Sequence, residues 1–234
     1  MDITTKQIKE IISNTLNIEE SEVENILKES YVAQEKVFNI RTEFLSPDNV
    51  KNHLELYDQY VKDFNRISAE LDTADRKNSN SNHSQYRSLK IDETFNLNST
   101  YLHELYFANI GDNKSEVKMD SLSFMRLERD FGTFDAWQKD FIACCMASRC
   151  GWAMTYLNTF TKSYMNASID LHSLNVPVGS YPVIVMDVWQ HAYYRDYLKD
   201  VKTYVFAMMK QLNWRVIEKR FEKADRIIQA LRAQ

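Results

Sequence analysis

An aspartate ends an apolar run in the C-terminal half of the chain, and its burial constrains the whole fold. Residues 183–187 read VIVMD, and His191 follows Asp187 after four residues. The β-branched residues favour a short buried strand that carries Asp187 into the interior. A buried carboxylate is costly unless it is paired or coordinates a metal. The fold must therefore bring partners from other segments to Asp187.

Histidines are the candidate partners. The chain has five of them: His53, His83, His103, His172 and His191. His83 lies in a polar tract and is predicted to be solvated, whereas His53 and His103 lie among apolar residues of predicted helices. Two histidines from an antiparallel helix pair, with Asp187 and His191, would form a His3Asp set. Such a set without thiolate favours manganese or iron over structural zinc. The alternative for each lone histidine is a hydrogen-bonded core residue, and spacing does not show that the two halves converge.

Long helices are predicted for the N-terminal half, because the chain has only four glycines and three prolines. Apolar residues recur at helical spacing over residues 5–16, and a second helix is predicted from about 19 to 32. Ser46, Pro47 and Asp48 form a helix start signal, with a hydroxyl N-cap, a proline in the first turn and an acid after it.

That third helix is predicted to run to about Leu71. The polar tract 74–87 then predicts a loop, and a further helix is expected over roughly 97–110. The later half differs in texture: residues 151–173 and 181–189 contain the β-branched and aromatic runs of short strands, with helices before and after them. The outline is a helical half followed by a small mixed α/β half.

Composition excludes several classes of protein. The net charge is −4 and no basic block occurs, so neither nucleic-acid nor membrane-surface binding is expected. No apolar run approaches the roughly 20 residues of a membrane span, and the N-terminus lacks a signal-peptide core. Cys144, Cys145 and Cys150 lack a disulfide or zinc pattern, so we interpret them as reduced core thiols in a cytoplasmic protein.

Several segments together resemble iron/manganese superoxide dismutases. DVWQHAYYRDY is similar to the family signature, in which Asp-x-x-x-His is followed by Ala-Tyr-Tyr. FLSPDNVKNHLELYDQYVKDFN resembles the family's first long helix, and LHELYF resembles the segment with the next histidine. DFGTFDAWQKDF, GWAMTYL and QLNW also match. The likeness extends in order over about residues 40–222.

The resemblance implies an α+β fold. It consists of an N-terminal α-hairpin domain (38–112) and a C-terminal α/β domain with a three-stranded antiparallel sheet (113–234), with a metal between them. A short helical extension (1–37) precedes these domains.

The resemblance also implies the activity, which is the conversion of superoxide to dioxygen and hydrogen peroxide. One iron or manganese ion per subunit would be held by His53, His103, Asp187 and His191. A homodimer is expected, with a higher oligomer as the alternative. Without the resemblance, the aromatic residues named next would be interpreted as core.

Further roles follow from matching positions. Tyr60 matches the gateway tyrosine, Trp189 and Trp152 match the apolar wall of the site, and Tyr194 matches a tyrosine that lines substrate access at the subunit interface. His172 lies near the position of the family's outer-sphere glutamine, which is absent here. A surface histidine is the alternative for His172.

The chain departs from the family pattern on the first long helix. The spacing from His53 to Tyr60 is one residue shorter than in most members, where the extra residue is interpreted as a π-bulge. Counting forward from Ser46 selects His53 as the ligand, whereas counting back from Tyr60 selects Asn52. We prefer His53, because an amide is a poor replacement for imidazole.

Two further departures concern charge. Gln190 replaces a glutamate that accepts a hydrogen bond from the metal-binding histidine of the opposite subunit, which predicts weaker metal retention or a shifted potential. Val201 replaces an anion-steering arginine, although Lys199 and Lys202 flank it. These losses leave open a structural or assembly protein with weak or no activity, in which residues 1–37 would be a docking element. A metal-dependent hydrolase is a weaker alternative, because no general-base carboxylate lies near the histidines.

Overall fold

The computed structural model describes residues 33, 35–111 and 115–233. The predicted helices over residues 5–16 and 19–32 lie outside this part of the chain. The elements in order are α1 (Pro47–Thr73), α2 (Gln85–Asn109), α3 (Leu122–Phe131), α4 (Phe134–Ala147), β1 (Gly151–Asn158), β2 (Ser163–Asp170), β3 (Ser180–Asp187), α5 (Gln190–Tyr197), α6 (Val201–Gln211) and α7 (Trp214–Arg232).

Helix α1 begins as the sequence predicts. The Ser46 side chain accepts a hydrogen bond from the Asn49 amide at 3.2 Å, and Pro47 occupies the first turn. The helix is α-helical throughout and passes Tyr60 without a π-bulge. The shorter spacing between His53 and Tyr60 therefore goes with an uninterrupted helix.

Helix α2 begins at Gln85, twelve residues before its predicted start at about residue 97. The predicted loop over residues 74–87 is therefore wrong for its last three residues, which are helical. The Ser84 side chain caps the helix by accepting a hydrogen bond from the Arg87 amide at 3.2 Å. Leu89 packs against Ile67 and Leu71 of α1, which makes the first turns of α2 part of a small apolar cluster. The start of α2 could not be predicted from its polar sequence, because the contacts that stabilise it are made with α1.

Helix α3 was not predicted from the sequence. The Ser121 side chain caps it, and Glu218 of α7 accepts hydrogen bonds from the Leu122 and Ser123 amides at 2.6 and 3.0 Å. Gly132 then turns the chain into α4 with a φ of +85°, a conformation that favours glycine.

The three-stranded antiparallel sheet is confirmed. Strand β1 lies in the centre, with β2 on one side and β3 on the other. Trp152 at the start of β1 pairs with Asp187 at the end of β3. The VIVMD run is buried from Val183 to Asp187, so the strand carries its carboxylate into the interior. In the described part of the chain, no helix has the length and apolar character needed to cross a membrane.

A buried arginine joins the helical hairpin to the sheet. Arg220 of α7 donates hydrogen bonds to the Leu105 carbonyl of α2 at 2.9 Å and to the Val183 carbonyl of β3 at 3.1 Å. It also donates to the side chain of Asn109, whose amide donates to the Val185 carbonyl at 2.8 Å. Burial lowers the pKa of Arg220 to about 10, so the group stays charged at neutral pH.

We expect Arg220→Ala to lower the free energy of unfolding by about 3 kcal/mol, because buried acceptors lose their donor. Urea unfolding of the metal-free protein would measure the loss. Arg215→Ala is a matched control on the same helix. A loss for Arg220→Ala no larger than that of the control would contradict a cross-linking role.

Candidate metal centre

Four side chains converge where the helical hairpin meets the sheet. They are His53 of α1, His103 of α2, Asp187 at the end of β3 and His191 of α5, and one ligand atom from each lies within 4.8 Å of the others. His53, His103 and Asp187 are buried, and His191 is partly exposed. Asn52, the alternative to His53, is exposed.

A single carboxylate oxygen lies at the middle of the cluster. Asp187 Oδ2 is 3.2 Å from His53 Nε2, 3.2 Å from His191 Nε2 and 3.6 Å from His103 Nε2. The same nitrogen of each imidazole therefore points to one region. Such convergence of three rings on one oxygen is the arrangement expected around one ion.

Local structure explains why these side chains meet. His53 lies on the buried stripe of α1, together with Asn49, Tyr57 and Val61 at steps of four residues. His191 lies in the first turn of α5, which starts three residues after the end of β3. The chain turns between Asp187 and His191, so that the two side chains lie close together. The Asn49 side-chain amide donates to the Ala192 carbonyl at 3.2 Å and fastens α1 to α5.

Hydrogen bonds orient the ligand atoms. His103 Nδ1 donates to the Ser99 carbonyl at 2.6 Å, which leaves the lone pair on Nε2. That Nε2 is buried and has no hydrogen-bond partner among the described residues. A buried polar atom without a partner is rare, and a metal ion would satisfy it.

Asp187 is also held in place. Its Oδ1 accepts a hydrogen bond from the Trp189 amide at 2.8 Å, which leaves Oδ2 facing the imidazoles. The Tyr204 hydroxyl donates to the Asp187 carbonyl at 2.8 Å, and the Tyr106 and Tyr204 hydroxyls lie 3.0 Å apart. Neither tyrosine was predicted from the sequence. Tyr106 follows His103 by one helical turn, but no sequence signal marks Tyr204.

The protonation states suit metal binding. Burial lowers the pKa of His53 and lowers that of His103 further, so both imidazoles are neutral at neutral pH. Burial alone would raise the pKa of Asp187, but His191 and His53 outweigh it and hold that pKa well below its usual value. Neutral imidazoles and an ionised carboxylate are the forms that bind a metal. The donor set therefore fits a first-row transition metal such as iron or manganese.

His172 and Tyr60 form a hydrogen-bonded pair beside the cluster. Trp152 Nε1 donates to His172 Nδ1 at 3.0 Å, so the proton of the neutral ring lies on Nε2, which donates to the Tyr60 hydroxyl at 3.2 Å. Burial lowers the pKa of His172 to about 4 and raises the pKa of Tyr60 to about 12, so the pair stays neutral. His172 is thus buried and is not a surface histidine.

Aromatic rings enclose the cluster. Trp189 stacks between His172 and His191, with ring centroids 5.0 and 5.7 Å away. The Trp152 and Tyr60 rings lie 4.9 and 5.3 Å from the His103 ring. Four residues named from the sequence therefore lie around the cluster: Tyr60, Trp152, His172 and Trp189.

Gln190 and Tyr194 differ from the rest. Both lie on helix α5 with exposed side chains, and Tyr194 is 54% exposed. Lys199 and Lys202 are exposed beside Val201, which begins α6. The structure of one chain does not bring Gln190 or Tyr194 to the metal cluster.

Comparisons with known proteins agree with this metalloprotein site. A family model described as "Iron/manganese superoxide dismutases, C-terminal domain" matches residues 121–220. The iron superoxide dismutase of Aquifex pyrophilus is 37% identical over 194 residues, which cover 81% of this chain and 90% of the relative. The iron superoxide dismutase of Aquifex aeolicus is 36% identical over 194 residues, with the same coverage of both chains. A manganese superoxide dismutase of Haloferax volcanii is 30% identical over 56% of this chain and 65% of the relative. The chain belongs to the iron/manganese superoxide dismutase family.

We expect His103→Gln to lower metal retention by at least about 10-fold, because the unpartnered Nε2 is lost. Metal content per chain, measured after dialysis against a chelator, would report the loss. His83→Gln is the control, because His83 is exposed in the loop between α1 and α2. Unchanged metal content in His103→Gln would exclude His103 as a ligand.

Proposed function

We propose that this chain is a superoxide dismutase that uses one iron or manganese ion per subunit, with His53, His103, Asp187 and His191 as the ligands. The observation that carries the proposal is the convergence of three imidazole nitrogens on one oxygen of a buried, ionised Asp187. Relatives named as iron and as manganese superoxide dismutases support it. Both metals fit the donor set.

The chemistry that a bound ion supplies is one-electron transfer: one superoxide gives up an electron to form dioxygen, and a second takes up an electron and two protons to form hydrogen peroxide. The residues of the chain set the conditions for this reaction. The ionised Asp187 offsets part of the charge of either oxidation state, and the buried His53 and His103 imidazoles stay neutral. The buried setting strengthens these interactions, because the local dielectric is low.

We assign proton handling to Tyr60 and His172. Their hydroxyl and Nε2 atoms lie 3.2 Å apart, and both groups are neutral at physiological pH. A neutral phenol and a neutral imidazole can each hold or pass on a proton beside the ligands. Trp189 and Trp152 would exclude water, since their rings pack on His191 and His103.

A homodimer in the cytoplasm is the assembly and location that we propose. Tyr194 and Leu198 are 54% and 63% exposed at the end of α5, next to the chain segment that holds His191. Large exposed apolar side chains of this kind suit a subunit interface, with Gln190 and Tyr194 facing the second copy. Cys144, Cys145 and Cys150 are free thiols, which fits a reducing compartment.

The first test measures iron and manganese per chain and superoxide dismutase activity on one natively purified sample. We expect about one ion per subunit together with activity, and Asp187→Asn should lose both, because the carboxylate ligand is removed. A sample that stays inactive after loading with each metal would overturn the proposal. It would favour a superoxide-dismutase-like structural or assembly protein.

Gln190→Glu is a second test, which concerns the dimer. In the family pattern, a glutamate at this position accepts a hydrogen bond from the metal-binding histidine of the opposite subunit, and a charged acceptor makes that histidine a stronger ligand. We expect metal occupancy after chelator treatment to rise by up to about 10-fold. Gln229→Glu makes the same charge change on an exposed position of α7. Equal occupancy in both variants would exclude this role for Gln190.

A further inference from the structure

Glu104 is a buried carboxylate that the proposed reaction does not use. Among the residues that the structure describes, only two carboxylates are buried, Asp187 and Glu104, and Glu104 is 8% exposed. It follows His103 directly on α2. A buried carboxylate is costly unless it is paired and hydrogen-bonded. Its partners therefore matter to the histidine beside it.

Glu104 belongs to a closed network of three residues. The Tyr57 hydroxyl donates to Glu104 Oε1 at 3.1 Å, and the Lys36 ammonium group forms an ion pair with Oε2. The Lys36 backbone amide in turn donates to the Tyr57 hydroxyl at 3.0 Å. Burial raises the pKa of Tyr57, and the charge of Glu104 raises it further, so the hydroxyl keeps its proton.

The network touches two of the three helices that carry ligand histidines, α1 and α2. Tyr57 lies one turn after His53 on the buried stripe of α1, and Glu104 lies next to His103 on α2. The Phe107 ring lies 6.0 Å from the Tyr57 ring and 4.8 Å from the His53 ring. A change at the Lys36 contact is therefore transmitted through packed side chains to His53.

The chain segment around Lys36 is fixed on both sides. Before it, the Asn65 side chain accepts a hydrogen bond from the Ala33 amide at 2.8 Å and donates one to the Ala33 carbonyl at 2.9 Å. After it, the Phe38 ring packs on Tyr57 and Phe107 at 5.9 and 5.4 Å. Lys36 is thus held in place by its neighbours, although 60% of its side chain is exposed.

We propose that Lys36 is a positioning residue for the metal centre: it neutralises Glu104 and so fixes the charge beside His103. The inference rests on the proposed function. If the charge of Lys36 is removed, the Glu104 carboxylate keeps the hydrogen bond from Tyr57, but no cation offsets its charge next to a metal ligand. A nearby negative charge stabilises the more positive oxidised ion, so the reduction potential of the bound metal falls. Because the Lys36 side chain is partly exposed, the effect is larger at low ionic strength.

A double-mutant cycle that removes the two charges tests the proposal on the metal-loaded full chain. The proteins are the wild type, Lys36→Gln, Glu104→Gln and the double variant, and the readout is the midpoint potential of the bound metal. We expect Lys36→Gln to shift the potential downward and the double variant to return it to near the wild-type value. If Lys36 had only a structural role, the double variant would differ from the wild-type potential more than Lys36→Gln does, because the double variant removes two contacts and not one.

Two further variants separate local from general effects. Lys36→Arg keeps the charge and is expected to keep the wild-type potential. Lys90→Gln makes the same change in net charge on α2, at an ion pair with Glu93 on the protein surface, and is expected to leave the potential unchanged. Unfolding midpoints of the metal-free proteins show whether each variant is folded.

The outcomes distinguish this inference from the proposed function. A wild type that dismutates superoxide, with the same potential in all variants, would overturn the role of Lys36 alone. A wild type that holds its metal but lacks activity, with the expected pattern of potentials, would overturn the function and support the role of Lys36. A chain that binds neither iron nor manganese would overturn both.

Discussion

Asp187 ends strand β3 in the protein interior, and its carboxylate is the point at which the two halves of the chain meet. Removing this charge from water is expensive, and the free energy is recovered only if several groups converge on it. Three imidazoles from three different helices meet at one of its oxygens, and the Trp189 amide binds the other. The site therefore exists only when the helical hairpin, strand β3 and helix α5 are all in place.

The rest of the fold holds those elements at a fixed separation. Arg220 and Asn109 connect α2 to β3 through buried hydrogen bonds, and Tyr204 binds the backbone of Asp187 itself. These contacts lie at or within a few residues of the ligands. Stability and metal binding are consequently coupled, because the same hydrogen bonds join the two halves and set the ligand geometry.

Among the residues that the structure describes, two carboxylates are buried beside the converging histidines. Asp187 faces the imidazoles, whereas Glu104 faces away from them toward Tyr57 and Lys36. A metal that changes its oxidation state during a reaction is sensitive to every fixed charge nearby. In the role proposed for Lys36, the segment before α1 is part of the electrostatic environment of the site, although none of its described residues belongs to the ligand cluster.

Features that depend on local chemistry could be predicted from the sequence. The Ser46 cap, the apolar strand that ends in Asp187 and the spacing to His191 were readable because each depends on neighbours within a few residues. The resemblance added the α+β fold and the family. The start of α2, all of α3 and the orienting role of Tyr204 were not predicted, because contacts with distant segments stabilise them.

The packing of the chain brings His53 to the cluster and leaves Asn52 exposed, since that difference depends on which side of α1 faces the interior. It also decided that His172 is buried beside Tyr60, and that Lys36 reaches Glu104 across 68 positions of the chain. Such pairs have no local pattern. The Lys36 contact follows from the packing of the segment before α1 onto the hairpin, and the His172 contact from the packing of the turn after β2 against α1.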